Sequence, residues 1–154
     1  MAVEDAIDGD ALFRLHRTHT DRGTIHGTAI ALNGRGLLVL GGAGAGKTGL
    51  AAQLIMMGAK LVSDDVVVVT RTGAGLTGAR PEHAPSCMEL RGLGIVTVPD
   101  AGATALKAVL YLGASAARLP DDETITLLNC SLPLLRHPAR HDTAAKVALW
   151  LTTT

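Results

Sequence analysis

The chain has 154 residues, a length for one domain that buries roughly 70% of the surface its unfolded chain exposes. Its 14 basic and 14 acidic residues cancel, which removes any general electrostatic drive toward nucleic acid or an anionic membrane. Hydrophobic residues make up 47% and charged ones 18%, as in a folded soluble protein, and Phe13, Tyr111 and Trp150 are too few to build a base-stacking platform. Cys87 and Cys130 form no disulfide framework and no C-x-x-C pair, so both are read as reduced. A signal peptide is not evident, and no apolar run approaches the ~20 residues of a membrane span. A cytoplasmic protein is the default expectation.

In chain order, residues 1–22 are polar and read as a leader, with one helical turn around Ala11–Leu15. Residues 23–154 are expected to form the functional domain. Thr28–Leu32 and Leu37–Leu40 are apolar runs joined by "NGRG", a hairpin signal. A helix is predicted over Thr48–Met57, with Leu50, Gln53, Leu54 and Met57 on one face and Gly58 as its stop. Met56 and Met57 are expected to pack as helix residues. "KLVSDDVVVVT" reads as a short strand, two acids and a β-branched strand, followed by a "RTGAGL" turn. "GARPEHAPS" is a proline-interrupted loop. "CMELRGLGIVTVP" begins polar and becomes strand-like, with Glu89 and Arg91 on one extended face. "ALKAVLYLG" and "ETITLLN" are further strands. "HDTAAKVALWL" is a helix capped by Asp142. The result is an α/β domain with a predominantly β core and two main helices.

The stretch "GGAGAGKTGL" carries two overlapping patterns. Gly41, Gly46, Lys47 and Thr48 spell G-x-x-x-x-G-K-[ST]. Gly44, Gly46 and Gly49 spell the dinucleotide fingerprint, and Asp64 stands at a fitting distance for it. Position decides between them. Gly41 follows directly on the apolar run ending at Leu40, where a phosphate loop starts, whereas Gly44 is too late for the fingerprint. The loop Gly41, Gly42, Ala43, Gly44, Ala45, Gly46, Lys47 and Thr48 therefore reads as a nucleotide-binding P-loop. Its backbone N–H groups and the helix N-terminus would face the phosphates, with Lys47 on them and the Thr48 hydroxyl on Mg²⁺. Asp64 and Asp65 are costly in an apolar run unless a cation or proton compensates them. One suits the metal, and the other suits proton transfer from an attacking hydroxyl.

At these residues the chain resembles the HPr kinase/phosphorylases, which phosphorylate a serine of the phosphocarrier protein HPr and also remove that phosphate. "IHG", "GGAGAGKT…GAKLVSDD" and "MELRGLGIVTV" carry the resemblance in that order, over residues about 24–140. The resemblance implies the phosphoenolpyruvate carboxykinase-like P-loop architecture. It implies ATP on Gly41–Thr48 and Lys47, and Mg²⁺ on Thr48, Glu89 and Asp64. Asp65 would be the general base of phosphorylation and the acid of the reverse step, with Asp64 supporting it. His26 and Arg118 would be active-site residues. Glu89, Arg91, Arg136 and Arg140 would serve dephosphorylation, in which inorganic phosphate attacks phosphoserine and pyrophosphate forms. Assembly into a homo-oligomer, commonly a hexamer, is implied as well. Gly49 departs from the family, which usually has an acid there, and members with a longer chain continue with another helix. Two rival functions remain open: a P-loop kinase of the same architecture acting on another substrate, and a nucleotide-binding sensor without catalysis. His137 and His141 have i, i+4 spacing, but Pro138 argues against a helix that would make them a metal pair.

Overall fold

The computed structural model describes residues 7–113 and 118–154. In chain order the elements are β1 (Ile7–Asp8), α1 (Gly9–Leu12), β2 (His16–His19), β3 (Arg22–His26), β4 (Thr28–Leu32), β5 (Arg35–Leu40), α2 (Lys47–Met56), β6 (Lys60–Ser63), β7 (Val66–Thr72), β8 (Gly75–Ala79), β9 (Cys87–Leu90), β10 (Gly94–Thr97), β11 (Thr104–Leu112), β12 (Glu123–Leu127), β13 (Cys130–His137) and α3 (Thr143–Leu151). The β-dominated reading with two main helices is what the fold shows; α1 adds one short helix.

Local chemistry explains the hairpins. Asn33 and Gly34 both sit at positive φ, 52° and 77°, the turn that lets β4 and β5 pair with Leu32 opposite Arg35. Gly73 at φ 63° turns β7 into β8. β13 is a strand that the sequence pattern does not announce. It is joined to β12 by Leu128 and Asn129 at φ 48° and 61°, unusual values for a leucine. Long-range bonds hold Leu128 there. Its N–H donates to Asp10 at 2.9 Å, and its carbonyl accepts from Arg71 at 3.4 Å. Pro133 is tolerated because pairing of β13 with β11 starts only at Leu134.

Two expectations for the first 22 residues and the helices are revised. Residues 7–22 are not set apart from the fold. β1 pairs in parallel with β12, β2 pairs with β3, and α1 is capped by Asp8, whose Oδ1 accepts from the N–H groups of Asp10 and Ala11. In α2 the buried stripe is Leu50, Ala51 and Leu54, while Gln53 is exposed and Met56 and Met57 are 85% and 47% exposed. The helix ends at Met56 with Met57 as its C-cap, so of its last residues Ile55 packs on the core while Met56 and Met57 face solvent. Gly58, at φ 107°, does end it. Asp142 occupies the N-cap of α3 but makes no capping bond; it pairs with Lys146 at 3.2 Å instead.

The large sheet branches at β11. One edge of β11 pairs with β8 through Thr104–Leu106 and with β13 through Val109–Leu112; the other pairs with β5, which leads to β4 and β6. β5, β11 and β13 run parallel. β9 and β10 form a separate two-stranded sheet. β5 is buried on both faces. Leu38 and Leu40 join a core with Ile25, Val67, Leu106 and Ile125, whereas Leu37 and Val39 join a second core with Leu50 and Leu54 of α2 and Val147 and Leu151 of α3. Alternation along one strand thus holds both layers together.

Leu38→Ala should lower stability by about 2–5 kcal/mol in urea denaturation, the range for a leucine cavity in a closed core. The same change at Leu149, which is 72% exposed, should stay within ~0.5 kcal/mol.

Candidate functional site

β5 ends at Leu40 and the glycine loop carries the chain to α2, whose first residue is Lys47. Gly44 and Gly46 lie at φ 79° and 101°, which suits residues without a side chain. Gly46 is the N-cap of α2 and offers no side-chain cap, and no acid stands in the first turn. The first N–H groups of the helix therefore face outward with the positive end of the helix dipole. Lys47 folds back over the loop, its Nζ donating to the carbonyls of Gly41 at 2.9 Å and Gly42 at 3.0 Å.

The two acids sit at a kink between β6 and β7, which run on in the same direction against β4 and β3. Asp65 takes φ 71°, its carbonyl accepts from the N–H of Gly27 at 3.1 Å, and the Val66 N–H donates to the Asp64 carbonyl at 2.9 Å. The consequence is opposite exposure. Asp64 is half-buried and its Oδ1 accepts from Thr28 Oγ1 at 2.8 Å and from Thr48 Oγ1 at 3.4 Å. The Asp65 side chain is 87% exposed, with His26 Nδ1 3.9 Å from its Oδ1. Thr28 was not singled out by any motif, yet it is 1% exposed and its hydroxyl is satisfied by Asp64. A polar residue opening an apolar strand, which must find a partner once buried, was the available signal.

Asp64 with two hydroxyls is a set of hard oxygen donors. Among the described residues no cluster of three His, Cys, Asp or Glu side chains exists. A magnesium ion bound beside phosphates uses only one or two carboxylates, so this donor set fits such an ion.

A cleft of about 850 Å³ joins these parts, lined by Thr28, Lys47, Thr48, Asp64, Asp65 and Glu89, with Gly44, Gly46, Gly49, Cys87, Leu90 and Arg91 completing it. Glu89 lies on β9, but the strand ends at Leu90. Arg91 therefore sits in the turn, not on an extended face shared with Glu89. The base of this hairpin is tied to β6. Arg80 pairs with both oxygens of Asp100 at 2.8 Å and donates to the Val62 carbonyl at 3.2 Å and that of Ala84 at 3.1 Å. The hydrogen bonds from Arg80 and from the Gly102 N–H hold the Asp100 carboxyl at about 2, below its ordinary range. No sequence motif marked this pair.

The later arginines are not in this cleft. Arg118, Arg136 and Arg140 line a second one, beside α3. Arg136 is committed there: its Nε donates to Glu123 at 3.1 Å, and its guanidinium lies 5.9 Å from the centre of the Tyr111 ring. His137 and His141 do not pair; His137 Nδ1 lies 2.7 Å from the Pro138 carbonyl and 3.2 Å from Thr143 Oγ1.

Fold and site together define a β-rich domain in which a glycine loop, a lysine and a pair of acids converge at the end of one strand. A family model, HPr Serine kinase C-terminal domain, matches residues 17–109, and the chain belongs to that family. It is 32% identical over 131 residues to an HPr kinase/phosphorylase of Brevibacillus brevis, covering 76% of this chain and 42% of that one. It is 39% identical over 102 residues to one of Xanthomonas campestris pv. campestris, covering 65% of this chain and 32% of that one. The chain thus spans less than half the length of these relatives. The solved structure of the HPr(Ser) kinase/phosphatase from Coxiella burnetii has the same fold, with a TM-score of 0.75 at 23% identity, covering 84% of this chain and 88% of that one. Among the described residues no helix is long and apolar enough to cross a membrane.

Two glycines of the site should respond oppositely to alanine. A Cβ on Gly46 would be strained at its φ of 101° and only 3.0 Å from the Ala139 Cβ, so Gly46→Ala should destabilise the fold. A Cβ on Gly49 meets nothing within 4 Å, so Gly49→Ala should stabilise it by up to about 1 kcal/mol. Paired urea melts read the difference.

Proposed function

We propose that this chain is an ATP- and Mg²⁺-dependent serine kinase of the phosphocarrier protein HPr, and that it also removes the phosphate by phosphorolysis. The fold class that goes with this reading is the carboxykinase-like P-loop type. The observation that carries it is the opposite setting of Asp64 and Asp65 at one backbone kink. One carboxylate faces two hydroxyls at the glycine loop, and the other stands exposed beside His26 in the same cleft. A nucleotide-binding sensor needs the first carboxylate but has no use for the second.

In this reading the loop Gly41–Thr48 and Lys47 hold the phosphates of ATP. Asp64 and Thr48, with Glu89 from the hairpin, would hold Mg²⁺, which supplies neutralisation of charge on the transferring group. The serine hydroxyl of HPr approaches from the open side of the cleft. Its oxygen forms the new bond to the γ-phosphorus as the bond to the β-phosphate oxygen breaks, and its proton passes to Asp65. His26, with its Nδ1 3.9 Å from the Asp65 carboxylate, stands beside the base in this reading. In the reverse direction an oxygen of inorganic phosphate attacks the phosphoserine phosphorus. The serine oxygen leaves with a proton from Asp65, and pyrophosphate is released. Arg91, in the turn at the rim of the cleft, suits a contact to the second anion. Arg118 and Arg140, in the second cleft, stand outside this scheme, and Arg136 is held by Glu123. The HPr partner, assembly of several copies and a cytoplasmic setting follow from the family reading.

The test incubates the chain with ATP labelled at the γ-phosphate, Mg²⁺ and HPr carrying serine or alanine at the acceptor position. Label should pass to the serine form alone. Asp65→Asn should reduce transfer by at least about a hundredfold while ATP affinity changes little. Intact ATP binding with no transfer to the serine form would leave a sensor, or a kinase with another substrate.

A further inference from the structure

The glycine loop has a neighbour on each side, and the two sides differ in chemistry. β5 is flanked by β4, which leads to β6 and Asp64, and by β11, which leads to β13. Thr28, Asp64 and Asp65 all stand on the β4–β6 side. A triphosphate seated on the loop with its reacting end at those groups must extend its other end the opposite way, toward β11 and β13. Those strands are parallel to β5, so their carboxyl ends lie at the same margin of the sheet. Ligands of parallel sheets bind at that margin.

The loop after β13 reaches the phosphate loop directly. Ala139 approaches Gly46 so closely that a Cβ there would be 3.0 Å from its own. Pro138 and Arg140, on either side of Ala139, line the second cleft, of about 1130 Å³, together with Leu135 and the half-buried Trp150. This wall is fixed in advance: the buried Thr143 hydroxyl accepts from the Arg140 N–H at 2.8 Å and donates to the Pro138 carbonyl at 2.8 Å. Among the described residues the guanidinium groups of Arg118 and Arg140 have no ion pair, and either plane can stack on a flat ring. The remaining charges do not suit a phosphate. Asp121 and Asp122 line the cleft, and Arg136 is occupied by Glu123.

We propose that this second cleft takes the uncharged nucleoside end of the nucleotide whose phosphates occupy the glycine loop, with Pro138, Arg140 and Trp150 lining it and Ala139 beside Gly46 at the junction with the loop. The proposal rests on the nucleotide reading above and adds where base selection is made. It also assigns Arg140 to the nucleoside, away from the second phosphate.

Trp150 is the only tryptophan in the chain, so its emission reports on this cleft. The experiment titrates the full chain, in Mg²⁺, with ATP and with inorganic tripolyphosphate, following emission and heat. Both ligands should bind, and only ATP should change Trp150 emission. Arg140→Ala, at an exposed position, should weaken ATP by about tenfold or more and leave tripolyphosphate within about twofold. Arg118→Ala, also exposed in this cleft, should do the same to a smaller extent. Equal weakening of both ligands by these variants, or unchanged ATP affinity in both, overturns the proposal. Failure of the unaltered chain to bind tripolyphosphate overturns the phosphate-loop reading itself and takes this proposal with it.

Discussion

The Asp64 carboxylate joins three elements that the chain visits at different times. It lies just past β6, accepts the hydroxyl of Thr28 at the start of β4 and reaches Thr48 in the first turn of α2. The two hydroxyls offset the burial of this half-buried carboxylate, and it keeps further acceptor capacity. Its partners therefore do two jobs. They satisfy the acid, and they gather hard oxygen atoms of the kind a magnesium ion takes. The kink at Asp65 turns its side chain outward, so adjacent positions in the chain acquire opposite environments.

The rest of the fold serves this junction. β5 is buried on both faces by two separate cores, which makes it a fixed mount for the glycine loop at its end. β4 pairs with it along its whole length and delivers Thr28. The hairpin that carries Glu89 is outside the main sheet, and Arg80 with Asp100 ties its base to β6. Glycine at position 49 keeps the first turn of α2 free of acid, which leaves the helix N-terminus positive for phosphate.

What the sequence disclosed was local. Asn33–Gly34, the four valines after Asp65, and the step from Leu40 into the glycine loop carry their structure in consecutive residues, and the elements formed there. The features that were not legible depend on distant partners. Leu128 adopts a turn conformation because Asp10 and Arg71 bond its backbone, so β13 and the placement of residues 7–22 could only emerge together. The grouping of arginines failed for the same reason. Proximity in the chain to a family-like segment does not say which cleft a side chain enters, and sheet order puts Arg118, Arg136 and Arg140 beside α3. Helix periodicity assigned Met57 to the core face, but α2 ends at Met56 and Met57 is its half-exposed C-cap.

The account depends most on Asp64 acting as the metal-side carboxylate of a nucleotide site. The direct measurement is the Mg²⁺ dependence of ATP affinity in the unaltered chain and in Asp64→Asn, by calorimetry with and without the ion. The unaltered chain should bind ATP about tenfold or more tightly with Mg²⁺. Asp64→Asn should lose that dependence while its metal-free affinity is retained. An unchanged Mg²⁺ dependence in Asp64→Asn would contradict the account.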